Sequence, residues 1–425
     1  MKLPTQALRW IRALACVCLG YVAPALQAAP TERSLTVAAY PAVDAMVRAA
    51  IPAWKRLHPD VEIRLVSRQF NDHHTAMTTV VSTSSRGPDL MALEVGFVGR
   101  FAQGGGLQNL SGPPYSAAAL RSSLVSYASN QALNPRGDMV AVPLDIGPAT
   151  LLYRDDLIRR AGLTEADLTQ SWDSYVQSGV QIRERTGAYL VAHARDLKDI
   201  IIRTTVPPGD GLYFDRESRP IVNSPRFVRA FELALSVRSK GLDARVSPWS
   251  NEWTEGFRRG TLATQFSGAW LVGHLSNWLA PATNGLWRAS QLPEGSWAAF
   301  GGTFLAIPRN APESNKALAW EFIRLMTLER DMQLSAFRAH DAFPALIAVH
   351  DDPFLNEPLP FLGGQRARLQ WRDAARQIRA VRVHKQDAFA DELINSELDK
   401  VLSRGKPIPA ALADAQRMLE RRANR

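Results

Sequence analysis

Phe257-Arg258-Arg259-Gly260-Thr261-Leu262-Ala263-Thr264-Gln265-Phe266-Ser267-Gly268-Ala269-Trp270 changes its pattern twice within one short run. It reads as the end of a helix, a turn at Gly260 and a short strand from Leu262 to Phe266. Ser267-Gly268 then reads as a cap that opens a further helix on Trp270. A strand that delivers a small Ser-Gly turn and an indole to its edge lets a ligand sit against backbone amides and a flat apolar face. The competing reading makes Trp270 a core residue beside a tight turn, because tryptophan is usually well buried. Just upstream, Trp249 and Trp253 add two more indoles.

Two segments flank this stretch and share one character. Val142-Pro143-Leu144-Asp145-Ile146-Gly147-Pro148 precedes an apolar Leu151-Leu152-Tyr153 strand, so the backbone is restricted by proline and released by glycine before it enters a sheet. Asp145 lies in that segment, where its carboxylate either accepts ligand hydroxyls or pins the local turn. Downstream, Phe300-Gly301-Gly302-Thr303-Phe304-Leu305-Ala306-Ile307-Pro308 pairs two glycines, which allow a change of φ and a close approach of backbone N–H groups to a ligand. A helix with Leu318, Phe322 and Leu325 on one face follows.

The N-terminal part alternates as an α/β unit does. Ser34–Ala39 is a strand, and Val43, Met46, Val47, Ile51, Trp54 and Leu57 recur as one face of a helix kinked at Pro52. Val61, Ile63 and Leu65 alternate as a second strand, parallel to the first because the crossover is long. Gly87-Pro88-Asp89 introduces a third, Leu90–Leu93. Ligands of open α/β sheets collect at the C-terminal strand ends. Here those ends carry Tyr40, then Asn71-Asp72-His73, then Glu94 with Phe97. For the polar ones, helix capping or turn chemistry competes with binding. The adjacent His73 and His74 suggest no metal, since neighbours on an extended chain point apart and no third ligand is evident.

Taken together these segments resemble the family 1 extracellular solute-binding proteins, which hand sugars to ABC importers. The resemblance is carried by the pattern F-x-x-G-x-L-A-x-x-F-S-G-x-W of the opening stretch, by His58-Pro59-Asp60 and Gly87-Pro88-Asp89-Leu90, by Gly106-Leu107-Gln108-Asn109-Leu110, and most specifically by Gly301-Gly302 through Pro308 with Asn315-Lys316 and Glu321-Phe322. Arg154 departs from it, standing where the family usually has asparagine. The resemblance implies a two-lobed α/β periplasmic binding protein fold of type II, with discontinuous lobes joined by hinge crossovers. Residues 29–142 and 303–345 are expected as lobe 1, 143–302 as lobe 2, and 346–425 as C-terminal helices completing lobe 2 and the hinge region. It implies no enzyme, no cofactor and no metal. Its implied partners are a carbohydrate and the membrane permease subunits, the protein itself being a monomer.

Sugar chemistry gives the residue types a reason, since a pyranose has an apolar C–H face and a rim of hydroxyls. Aromatic rings cover the first, and carboxylates, amides and arginine satisfy the second. The expected contacts are Tyr40, Asp72, His73, Glu94, Phe97, Asp145, Trp249, Trp253, Trp270, Gly302, Thr303 and Trp371, the last being equally a helix-packing residue. The cargo expected is a neutral di- or oligosaccharide. A binder of an anionic sugar or glycerol phosphate, suggested by cations such as Arg68, and a secreted glycoside hydrolase are the alternatives.

Composition bounds the rest. Residues 1–28 read as an export leader: Lys2, Arg9 and Arg12 precede an apolar core from Ala13 to Ala25, with Leu26-Gln27-Ala28 as cleavage site, so a periplasmic location is expected. Both cysteines, Cys16 and Cys18, fall inside it, leaving no disulfide or thiol chemistry afterwards. The net charge of +9 includes the three leader cations and is otherwise +6, spread rather than clustered. No nucleic-acid motif is present.

Overall fold

The long strand β4, Val142–Arg154, is buried at every position. In the computed structural model, which describes residues 33–83 and 86–423, it ties two halves of the molecule together; the leader and its two cysteines lie outside the described residues. Strands β1 (Arg33–Ala39), β2 (Val61–Ser67) and β3 (Leu90–Glu94) form a parallel set in the order β2-β1-β3. Strand β5 is Thr264–Gly268, β6 Trp287–Ser290, β7 Ala299–Ala306 and β8 Phe343–Pro344. β7 runs antiparallel between β3 and β4. β4 meets β7 and β8 along Val142–Pro148, then β5 and β6 along Ala149–Arg154. A single strand therefore serves two sheets in succession.

Side-chain alternation shows how this is possible, because successive residues of a strand face opposite sides. Leu152 joins a buried cluster with Val37, Trp54, Leu93 and Phe304, whereas Leu151 and Tyr153 join a second cluster with Trp172, Tyr175, Phe231 and Leu398. These are the two hydrophobic cores of the molecule. The first also takes in Trp253, Phe257, Trp287 and Trp371. The second takes in the helices Trp172–Thr186, Arg195–Thr204, Pro225–Ser239 and the C-terminal pair Asp387–Arg404 and Ile408–Ala423. The two-lobed α/β architecture expected from the sequence is the one observed.

Several local expectations are corrected. In the first helix, Val43–Leu57, which contains Pro52 as expected, Leu57 is 62% exposed rather than on the buried face. Asn71-Asp72-His73 is not a strand end: β2 stops at Ser67 and a helix spans Phe70–Thr83. The strand expected at Leu151–Tyr153 begins at Val142, because bulges after Pro143 and Ile146 accommodate prolines that have no N–H to donate. Ser267-Gly268 is no cap either. The two residues end β5, paired with Thr150 and Ala149.

Candidate functional site

The register of three strands brings Glu94 of β3, Thr303 of β7 and Asp145 of β4 into one row, where the parallel strands end and the crossovers begin. Thr303 donates its backbone N–H to Asp145 Oδ1 at 3.0 Å, and its hydroxyl also bonds that carboxylate. Tyr40 Oη lies 2.8 Å from Thr303 Oγ1, completing a chain from β1 to β4. Burial pushes the Asp145 carboxyl up to about 6, partly offset by those Thr303 bonds. Burial also pushes Glu94 up to about 7, although its Oε2 accepts the Gly96 N–H at 2.6 Å as the cap of the helix Val95–Gln103. Gly301 and Gly302, with φ of 78° and 127°, turn β7 into this row in a conformation that side-chain-bearing residues rarely adopt.

On the lobe 1 side an aromatic wall stands over the row. Phe70, 39% exposed, packs edge-on to Tyr40 (5.3 Å) and Phe97 (6.0 Å). His74 stacks on Phe97 at 4.0 Å and 18°. Its Nδ1 donates to the Phe70 carbonyl and its Nε2 accepts the Glu94 N–H, a tautomer that fits a ring whose pKa burial pushes down to about 4. His73 is enclosed and bonds the Ala92 carbonyl, so it braces β3 instead of facing the row. Asp72 is exposed in the first turn of its helix. Among the described residues no group of three or more His, Cys, Asp or Glu is placed to hold a metal ion.

Trp270 stands at the hinge, half-buried, with its indole N–H donated to the Phe300 carbonyl at 2.9 Å. Trp249 is 55% exposed and lies parallel to it, with centroids 6.0 Å apart and an interplanar angle of 16°. Trp253 is buried behind Trp249 and donates to Gln265 Oε1. Trp371 is 0% exposed, on a helix packed against β4, so it supports the first core and presents nothing to a cleft. Arg154, the residue unusual for its position, is buried; it forks onto Asp156 with two 2.8 Å bonds and donates to the Phe257 carbonyl, fixing the junction of β4 with its neighbours.

The opposite wall contains residues that sequence reasoning did not single out. Arg203, on the helix Arg195–Thr204, lies 5.0 Å over the Phe300 ring, and its charge is felt by Glu94 from across the lobes. Lys198 is fully enclosed, pairing with Asp199 and with Asp391 Oδ1 at 3.2 Å, while Tyr213 donates to the same Oδ1 at 2.6 Å. Burial pushes the neighbouring Asp387 up to about 7. Buried polar atoms without a partner gather here: Arg203 Nε, Gln386 Oε1, Asp387 Oδ1 and Asn395 Oδ1. Such atoms are costly unless something satisfies them. Helix Arg195–Thr204 carries a sequence signal in the charged residues that flank its Ile200–Ile202 run, but only the tertiary fold brings Asp387, Asp391 and Asn395 beside it.

Comparison with known proteins fits this geometry. The profile of the bacterial extracellular solute-binding protein family matches residues 36–333. The chain belongs to that family. Among curated relatives of this solute-binding protein, the lactose-binding protein of Rhizobium radiobacter is 23% identical over 79% of this chain and 80% of its own length. The arabinooligosaccharide-binding protein of Halalkalibacterium halodurans is 22% identical over 71% and 75% respectively. Among solved structures, the ABC transporter associated binding protein of B. animalis subsp. lactis, in complex with beta-1,6-galactobiose, superposes with a TM-score of 0.77 at 19% identity, covering 91% of this chain and 96% of that one. Maltose-bound MalE3 of T. maritima superposes at 0.75 with 17% identity, covering 91% and 99%. Both have the fold of this solute-binding protein. Among its described residues no helix is long and apolar enough to cross a membrane.

Proposed function

We propose that this chain is the substrate-binding component of an ABC importer, capturing a neutral di- or oligosaccharide between two hinged lobes and delivering it to a membrane permease. The lobes are formed by residues 29–142 with 303–345 and by 143–302 with the C-terminal helices. The observation that carries this reading is the Glu94–Thr303–Asp145 row at the crossovers, flanked by Phe70 and Phe97 on one side and Trp270 on the other. Carboxylates and a threonine meet the hydroxyl rim of a sugar, and the rings meet its C–H face. The names of the relatives, which bind lactose, arabino-oligosaccharides, galactobiose and maltose, support the same class.

Charge supports a neutral cargo over an anionic one. Asp199 and Asp391 already offset Lys198 and Arg203, and Glu94, Asp145 and Asp387, held partly protonated by burial, add only negative charge as they ionise, so a carboxylate or phosphate ligand finds no spare cation among them. Retention without turnover is supported by the relatives, which are binding proteins by name.

A thermal-shift screen of the mature protein against neutral saccharides, sugar acids and sugar phosphates tests the reading. A ligand at a hundred times its Kd adds about 2.7 kcal/mol of stability. We expect a rise with neutral saccharides only, undiminished after prolonged incubation; a rise confined to anionic sugars, or consumption of an added glycoside, overturns it. Trp270→Ala combined with Glu94→Ala should abolish that rise while the protein stays folded.

A further inference from the structure

We propose that Trp249 and Trp278 form an outer platform for an additional sugar ring beyond the one held at Trp270, so that the protein favours oligosaccharides over disaccharides. This rests on the sugar-binding reading and adds chain length to it. Three indoles are arranged as a row of steps: Trp249 is parallel to Trp270 (6.0 Å, 16°) and also to Trp278 (6.5 Å, 18°). Along the row the rings pass from half-buried at the hinge to open, with Trp278 52% exposed. Among the described residues only two tryptophans are left with large exposed faces, and they are these two neighbours. Adjacent exposed indoles are unfavourable in water unless something covers them.

The row is held in place rather than merely exposed. His274 stands edge-on to all three rings, at 5.7 Å from Trp249, 5.5 Å from Trp270 and 5.6 Å from Trp278. Its Nδ1 accepts the Trp278 indole N–H at 3.1 Å, which locks the plane of the outermost ring. Trp249 sits at a φ of 67°, a backbone conformation uncommon for a bulky residue and one retained where the surroundings enforce it.

Chemistry and position identify the occupant. His274 is kept neutral by burial, with His340 beside it as a second influence and Asp44 of lobe 1 beyond. Arg258 spends its guanidinium on the carbonyls of Leu279 and Trp278 and on Glu255. The platform therefore offers flat apolar faces without a free charge, matching the C–H face of a neutral pyranose. Its inner end is continuous with Trp270, and its outer end, Trp278, is open. A ring bound there is linked to the ring inside.

The test is calorimetric titration of the mature protein with maltose and maltotetraose, and with galactobiose and galactotetraose. In the series that binds, the tetrasaccharide should bind about tenfold more tightly than the disaccharide, the scale of one aromatic contact. Trp278→Ala should erase that advantage and leave the disaccharide Kd unchanged, and Trp278→Phe should restore part of it. Equal affinity for both lengths in the unmodified protein, or an equal loss for both in Trp278→Ala, overturns the platform while leaving sugar binding intact. Failure of every saccharide to bind the unmodified protein overturns the sugar-binding reading and the platform with it.

Discussion

Glu94 and Asp145 are the residues at which chemistry and stability meet. Burial holds their carboxyls at about 7 and about 6, so the folded protein keeps protons that the unfolded chain, with ordinary carboxyls, has released. Their contribution to stability is therefore fully present below the unfolded values and is lost as pH rises through 6 and 7. His74, His274 and His384, pushed down to about 4 by burial, act in the opposite sense, losing stability as pH falls below their unfolded value. The carboxyl part must be read by difference: the melting temperature of Glu94→Gln minus that of the unmodified protein should increase from pH 5 to pH 7.5. A sugar hydroxyl donating to Glu94 favours its charged form, so binding near pH 6.5 should release protons. Titration in buffers of different ionisation enthalpy measures this directly, and an unchanged heat across buffers would contradict it. Tyr40, Glu94, Asp145, Thr303 and Trp270 were legible in the sequence because strand ends and paired glycines mark where such residues gather. Phe70 and His74 were hidden by reading a helix start as a strand end. Arg203 and Asp391 were hidden because their neighbourhood is made by segments almost two hundred residues apart.

At the scale of elements, β4 shows both the reach and the limit of pattern reading. Its apolar end was recognisable, but Pro143, Gly147 and Pro148 read as a connection, and only the bulges against β7 explain how they remain in a strand. Gly147 has a stricter reason to be there. A Cβ at this position would lie 2.0 Å from the Phe300 carbonyl oxygen and 3.1 Å from that of Gly301, both backbone atoms that no rotamer change can move. Gly147→Ala should cost about 2–4 kcal/mol through forced separation of β4 from β7, seen as a lower denaturant midpoint. It should also weaken ligand binding, because the same carbonyl orients Trp270. The helix ending at Gly260 was read correctly from the glycine, whereas Ser267-Gly268 failed as a cap because β5 extends through both residues to pair with β4.

The whole molecule has two lobes, with β4, β7 and the segment 378–386 between the helix Ala367–Gln377 and Asp387 running between its two cores. That third connection is strapped down: Gln103 donates to the Val383 carbonyl and accepts the Lys385 N–H at 3.2 Å, while Arg382 donates its N–H to Asp210 at 3.1 Å in the other lobe. Closure by rotation about these three connections requires a ligand with greater affinity for the closed form. Small-angle scattering should show a smaller radius of gyration on adding a bound saccharide, and an unchanged radius at saturation would argue against hinge closure. The alternation of helix and strand made the two-lobed plan legible, since the crossovers keep their distinctive proline and glycine content. The C-terminal helices carry no such mark, for beside their mutual packing they touch helices far away in sequence, Val95–Gln103 and Pro225–Ser239. Because β4 belongs to both sheets, neither lobe can be excised as a fragment: cutting at the boundary would leave each half with a raw strand edge and a torn core. A split reporter made from this protein would have to be divided in a surface turn that separates β4 from β7, such as the one at Gly209, and would regain its shape only when both pieces rebuild the shared strand pair.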